Sequence, residues 1–149
     1  MLQQNIIFHY SRYETSTQSS DLTSNLVEYG GLKYATHHKN DFLSVTVSEE
    51  GSELHSILDC DGTEYLWQGD PKYWVERALN ILPYVARLTN GQYKLDGQLY
   101  TMKNHGTAMY ERFCLTDQSE NTLVFTLTDS PEILKPYPRH FIFRVKGHL

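Results

Sequence analysis

The sequence predicts an all-β, antiparallel fold, on three observations. Aromatic residues make up 13% of the 149 residues, eleven of them tyrosine, a composition suited to pleated, half-buried surfaces. From Phe42 onward, short alternating apolar runs are separated by glycine-containing turns. No stretch of a dozen residues holds a clean 3.6-residue apolar period.

The elements follow in order. Residues 1–38 read as an extension: 11–24 is rich in Ser and Thr and reads as a linker or loose arm, while Ile6-Ile7-Phe8 and Leu26-Val27 have the character of added strands. Phe42–Val47 is the first clear strand. Leu54–Leu58 and Thr63–Trp67 flank Asp61-Gly62 and predict a hairpin, because both turn positions tolerate positive φ. Asn90-Gly91 and Asp96-Gly97 repeat that signal, so Val85–Thr89, Gln92–Leu95 and Gln98–Met102 predict a three-stranded meander. Arg112–Thr116 and Thr122–Thr128 flank the polar 118–121 turn as a further hairpin. Pro131–Leu134 predicts one helical turn, stopped by Pro136 and Pro138. His140–Val145 is the last strand; no return strand follows it, which suggests a sheet continued by another chain or a polypeptide cut short.

Charge and composition exclude several classes. Thirteen Lys plus Arg against 18 Asp plus Glu give a net charge of −5, which argues against a nucleic-acid partner. With 40% hydrophobic and 21% charged residues, collagen-like, coiled-coil and wholly disordered readings fall away. No run approaches the roughly 20 apolar residues of a membrane-spanning helix, and no signal-like segment opens the chain, so a cytoplasmic protein with no membrane partner is the expectation. Cys60 and Cys114 have no CxxC spacing, and the seven histidines no ligand-like interval, so neither a disulfide framework nor a metal site is expected. Asn-x-Ser/Thr acceptors, phosphate-binding loops, GxGxxG, GxSxG and HExxH are all missing from the sequence.

One stretch is far more specific. Asp61-Gly62-Thr63-Glu64-Tyr65-Leu66-Trp67-Gln68-Gly69-Asp70-Pro71-Lys72-Tyr73-Trp74 is followed by Leu82–Leu88, Gly91-Gln92-Tyr93, Asp96-Gly97 and His105-Gly106. In content and order this resembles the aldose 1-epimerase (galactose mutarotase) family, bacterial branch, from about residue 40 to 149. The resemblance implies that 39–149 is the N-terminal part of an antiparallel β-sandwich of the galactose mutarotase type, incomplete in this chain. It also implies a small-molecule aldose as partner, lying in a groove across one sheet, and no metal or organic cofactor.

The family chemistry needs one group to take the proton from the C1 hydroxyl while another protonates the ring oxygen. The ring opens, the C1–C2 bond rotates, and closure reverses both transfers. By resemblance, Arg87 matches the arginine of the family's Gly-Arg-Leu motif and His105 the histidine of its His-Gly-Phe-Ala-Arg motif; both are substrate-binding candidates. The sequence departs from those motifs at Ala86, in place of glycine, and at Thr107-Ala108-Met109-Tyr110. The family's catalytic glutamate and second histidine belong to segments downstream of Leu149, so no catalytic residue is assigned within the chain. Glu64, Asp70 and Glu111 read as structural carboxylates. Trp67, Tyr73 and Trp74 suit either sugar stacking or the core, with the core expected, and no basic cluster marks a phosphate pocket, although Arg77 and Lys72 lie near each other in sequence.

Three functions remain open from sequence: an aldose 1-epimerase, a non-catalytic carbohydrate-binding protein, and a truncated fragment whose half-sandwich exposes its inner face. Self-association or a separate C-terminal half would complete the last of these.

Overall fold

The computed structural model describes residues 35–149, together with the backbone of a short strand at 9–11. The expected strands at Ile6–Phe8 and Leu26-Val27, and all but the first residue of the Ser/Thr-rich stretch, lie outside the described residues. Nine strands are described: β1 (His9–Ser11), β2 (Ala35–Lys39), β3 (Leu43–Ser48), β4 (Leu54–Asp59), β5 (Gln92–Leu95), β6 (Gln98–Thr101), β7 (Cys114–Ser119), β8 (Thr122–Thr128) and β9 (Ile142–His148), with one helical turn, α1 (Pro131–Leu134).

The strands form a four-stranded sheet in the order β1-β9-β8-β7, a three-stranded sheet β2-β3-β4, and the hairpin β5-β6. All pairings within these sheets are antiparallel. Alternation along β8 turns Leu123, Phe125 and Leu127 inward, and β9 adds Phe143 and Val145. These residues join Val45, Val47 and Leu54 of the smaller sheet in one apolar cluster with Ala108, Phe113 and Ile133. Among the described residues, the inner faces of the two larger sheets therefore pack against each other. Phe113 is fully buried and meets Phe143 edge-on, with ring centroids 5.7 Å apart.

Turn chemistry fixes the connections. Asn40 Oδ1 accepts hydrogen bonds from the amides of Phe42 (2.9 Å) and Leu43 (2.8 Å), closing β2 onto β3. Strand β2 thus spans the boundary expected at residue 38. Asp96 and Gly97, with φ of 51° and 82°, form the tight β5-β6 turn. Ser130 Oγ accepts from the Ile133 amide and caps α1, with Pro131 in its first turn.

Three expectations are corrected. The last strand runs on to His148 and does have a covering strand, since β1 pairs with it from His9↔Lys146 to Ser11↔Arg144. Val85–Thr89 is not a strand: Ala86 sits at φ 74°, and Asn90-Gly91 closes a 3₁₀ turn rather than a hairpin, so the meander reduces to β5-β6. Thr63–Trp67 pairs with β4 only at the Leu58↔Glu64 bridge. The Glu64 carboxylate itself accepts from the amides of Ile57 and Leu66, replacing strand-to-strand bonds with side-chain ones.

Candidate functional site

Two loop segments carry the sequence-predicted site. Leu82–Arg87 and Lys103–Thr107 run side by side, joined by a parallel bridge between Leu82 and Gly106 and by the Thr107 amide donating to the Leu82 carbonyl at 2.7 Å. Tyr84 donates its hydroxyl to the Lys103 carbonyl at 2.6 Å. Gly106 allows this approach: at φ 85°, a Cβ there would fall 2.0 Å from the Leu82 oxygen. Leu82-Pro83 is a cis peptide.

His105 is held by the same seam. Its amide donates to the Ala86 carbonyl at 2.9 Å, and the Ala86 amide donates back to His105 Nδ1 at 3.0 Å. Because a backbone N–H can only donate, Nδ1 must be the acceptor, and the neutral ring carries its proton on Nε2. His105 is half-buried and Arg87 exposed. Arg87 immediately follows Ala86, so one backbone position separates the guanidinium-bearing residue from the residue that orients the imidazole. The structure thus brings the Arg87 and His105 motifs together on one seam. Among the described residues no carboxylate is hydrogen-bonded to either side chain.

Beside the seam, Tyr110 donates to the Asn104 carbonyl at 3.2 Å, and Lys103 Nζ lies 4.6 Å from the Tyr110 ring centroid. Burial, then the neighbouring Tyr110, pushes the Tyr84 hydroxyl above its ordinary pKa. The departing 107–110 segment forms a 3₁₀ turn over Ala108–Tyr110 that buries Ala108 completely, so its divergence is absorbed by core packing.

The other candidates have structural partners. Glu64 receives Ser56 Oγ at 2.5 Å besides the two amides. Asp70 Oδ1 accepts from the Lys72 amide at 2.9 Å. Glu111 joins the core wall through its carbonyl, which accepts from the Gly51 amide. Arg77 donates to the Gln68 carbonyl at 2.8 Å, and Lys72 lies over the Tyr73 ring, so the two cations do not converge on a phosphate site. Trp67, Tyr73 and Trp74, expected in the core, are instead 45%, 69% and 55% exposed. The Trp67 indole N–H donates to the Trp74 carbonyl, tying them into a surface loop.

Among the residues whose side chains are described, the histidines outside the seam are likewise engaged or buried. His55 pairs with Glu53 and His140 with Asp129, while His37 meets Ser44 and Thr46. His38 is buried, and desolvation, opposed by a hydrogen bond from the imidazole to the Glu120 backbone carbonyl and reinforced by His37, lowers its pKa. No group of three potential ligands gathers among the described residues, and no described helix is long and apolar enough to cross a membrane. A cleft of about 620 Å³ lined by Lys39, Phe42, Glu120, His148 and their neighbours shares no residue with the seam.

Sequence reasoning missed the Ala86–His105 exchange. Its one signal was the alanine standing where the resemblance expects glycine, a position that now proves to have positive φ.

The fold and the paired motifs define a β-sandwich of the galactose mutarotase type. Residues 34–149 match the aldose 1-epimerase family, and the chain belongs to it. It is 37% identical over 112 residues to protein LacX (chromosomal) of Lactococcus lactis, a match covering 72% of this chain and 38% of LacX. A galactose mutarotase related enzyme from Lactobacillus acidophilus superposes with a TM-score of 0.75 at 31% identity, over 77% of this chain and 39% of that one. A galactose mutarotase-like protein from Lactobacillus casei gives 0.74 at 29% identity, over 77% and 40%. The chain therefore spans about two fifths of the length of these relatives.

Proposed function

We propose that this chain supplies the sugar-contacting N-terminal part of an aldose 1-epimerase, a cytoplasmic enzyme of carbohydrate metabolism that interconverts the α and β anomers of a galactose- or glucose-type aldose. The observation that supports this most is the reciprocal Ala86–His105 bond, which fixes one tautomer of His105 beside the exposed Arg87. Nε2–H is then a preset donor to a sugar oxygen at the acetal, and the planar Arg87 fork a donor to neighbouring hydroxyls. The proton leaving the C1 hydroxyl needs a base and the ring oxygen an acid. The family's glutamate and second histidine would fill those roles from the part of the fold beyond Leu149.

A second reading, a carbohydrate-binding unit without catalysis, draws on one specific observation: among the described residues no carboxylate is hydrogen-bonded to or ion-paired with His105 or Arg87. Two-dimensional amide NMR with excess galactose or glucose tests both. Peaks shifting at Ala86, Arg87 and His105 are expected under either reading, and anomer exchange by saturation transfer, measured with the chain joined to the rest of a LacX-type sandwich that carries the acid and base, separates them. Dispersed peaks unmoved by any aldose would overturn sugar contact altogether.

A further inference from the structure

We propose that Tyr84 and Tyr110 are positioning residues for His105, whose imidazole they hold against the Ala86 amide by capping the two backbone carbonyls that precede it. This rests on the reading above that His105 meets the sugar. Tyr84 donates its hydroxyl to the Lys103 carbonyl at 2.6 Å, and Tyr110 donates to the Asn104 carbonyl at 3.2 Å. Two consecutive carbonyls just ahead of His105 are thus each fixed by a tyrosine. One tyrosine comes from the facing segment and the other from the 3₁₀ turn at Ala108–Tyr110.

The local backbone needs such braces. His105 at φ 61° and Ala86 at φ 74° occupy a region that residues with a Cβ keep only where the surroundings over-determine it. Met102 and Gly106 are buried at the two ends of the loop, but Lys103 is exposed and Asn104 and His105 are half-buried, so bonds hold the loop more than packing does. Tyr84 and Ala86, two positions apart, meet Lys103 and His105, also two positions apart. A tilt of the loop away from the facing segment therefore breaks the tyrosine bond together with the bond to Nδ1.

Both tyrosines suit the task. Burial, then the neighbouring Tyr110, pushes the Tyr84 hydroxyl above its ordinary pKa, so it stays a donor at neutral pH. Lys103 Nζ, 4.6 Å from the Tyr110 ring centroid, ties the same loop to the same ring. Tyr110 belongs to the 107–110 stretch in which the chain departs from the family motif, so the second brace is the chain's own and not the motif's.

Nuclear magnetic resonance of the whole chain tests this. A scalar coupling between the Ala86 amide nitrogen and His105 Nδ1, transmitted through the hydrogen bond, reads the seat of the imidazole, and Ala86 amide exchange reads how often the bond opens. Both are measured in the parent, in Tyr84→Phe, in Tyr110→Phe and in the control Tyr65→Phe, which deletes a 2.8 Å tyrosine bond to Asp59 Oδ2 in another loop. We expect exchange about five- to tenfold faster in Tyr84→Phe and about two- to threefold faster in Tyr110→Phe, whose bond is the longer. The coupling should fall in the same order, and Tyr65→Phe should match the parent. The galactose concentration that half-saturates the shift at Arg87 should rise about fivefold in Tyr84→Phe. A parent without the coupling, or an equal change in Tyr65→Phe, overturns the proposal. So does a coupling retained in both variants while the thermal midpoint falls, which makes the two tyrosines structural only. Each substitution keeps its ring, and where Tyr84→Phe has no cooperative transition the Tyr110→Phe coupling decides. A parent that shows the coupling but binds no aldose sinks the proposed sugar contact and leaves the bracing of His105 standing.

Discussion

Ala86 and His105 exchange hydrogen bonds: the His105 amide donates to the Ala86 carbonyl at 2.9 Å, and the Ala86 amide to His105 Nδ1 at 3.0 Å. The pair locks two loops 19 positions apart in sequence and decides which imidazole nitrogen carries the proton. It needs the backbone of both residues at positive φ, 74° and 61°, a conformation that disfavours residues with a Cβ. The geometry that presets the imidazole is therefore strained at both ends.

That strain can be relieved at Ala86. Glycine adopts φ near 74° without the Cβ penalty, and removing it is worth about 1 kcal/mol in the folded state. Part of the gain is offset by the greater freedom of glycine in the unfolded chain. Ala86→Gly is expected to raise the thermal midpoint by a few degrees with the Ala86–His105 bonds intact. Ala86→Val should lower it, because a β-branched side chain tolerates this region least. Differential scanning calorimetry on the three chains gives the order, and a midpoint for Ala86→Gly at or below that of the parent would show that φ here is not a cost.

At His105, two substitutions separate fold from chemistry. Asparagine tolerates φ of 61° and keeps a side-chain acceptor, so His105→Asn should cost less than about 1 kcal/mol. It removes the Nε2–H donor, so shifts at Arg87 on adding galactose should weaken at least tenfold in apparent affinity. His105→Ala loses both the acceptor and the donor and should also lower the midpoint. Unchanged sugar titration by NMR in both variants would remove His105 from the binding surface.

Much of this was legible in the sequence, and the failures share a cause. The Asp96-Gly97 hairpin, the 122–128 strand and the Pro131–Leu134 helical turn are set by residues adjacent in the chain, and they form as expected. Val85–Thr89 has the look of a strand, yet its backbone is claimed by His105, a partner that local pattern does not show. Thr63–Trp67 fails similarly, because the Glu64 carboxylate takes the amides a neighbouring strand would have used. Trp67, Tyr73 and Trp74 read as core since large aromatics usually are, and composition carries no sign that their loop faces outward. Each of the two motifs was identifiable only by resemblance, and both their meeting on one seam and the tautomer of His105 needed three-dimensional contacts.

Gly106 is the most intolerant position of the seam. A methyl group there would stand 2.0 Å from the Leu82 carbonyl oxygen and 2.6 Å from Pro83 Cδ, at a backbone φ of 85°. Both obstacles are backbone or ring, so neither can swing aside. Gly106→Ala should cost about 3 kcal/mol or more and should part the Leu82–Arg87 and Lys103–Thr107 segments. Hydrogen exchange reads this as lost protection of the Thr107 amide, which donates to Leu82 in the parent. Retained protection at Thr107 would mean that the two loops are joined by something other than this close approach.

Acid should weaken the fold through its bonded carboxylates. At Glu53, burial pulls the pKa up, but the His55 side chain, the Arg77 amide and the charges of both outweigh it and hold the carboxyl below the ordinary 4.5. Glu64 behaves alike: burial is opposed by Ser56 Oγ and by the amides of Ile57, Leu66 and Tyr65, with a net lowering from 4.5. A carboxyl whose folded pKa is depressed contributes stability that is fully present above the unfolded value and lost as pH falls through the folded one. The midpoint of thermal unfolding should therefore hold from neutrality down to about pH 5 and drop below about pH 4.5 as these two groups protonate. Glu64→Gln removes the charge but keeps one acceptor oxygen, and should cost about 1–2 kcal/mol at pH 7 while flattening the acid limb. An acid limb of undiminished steepness in Glu64→Gln would assign the loss to carboxylates other than the one that closes the Asp61-Gly62 turn onto β4.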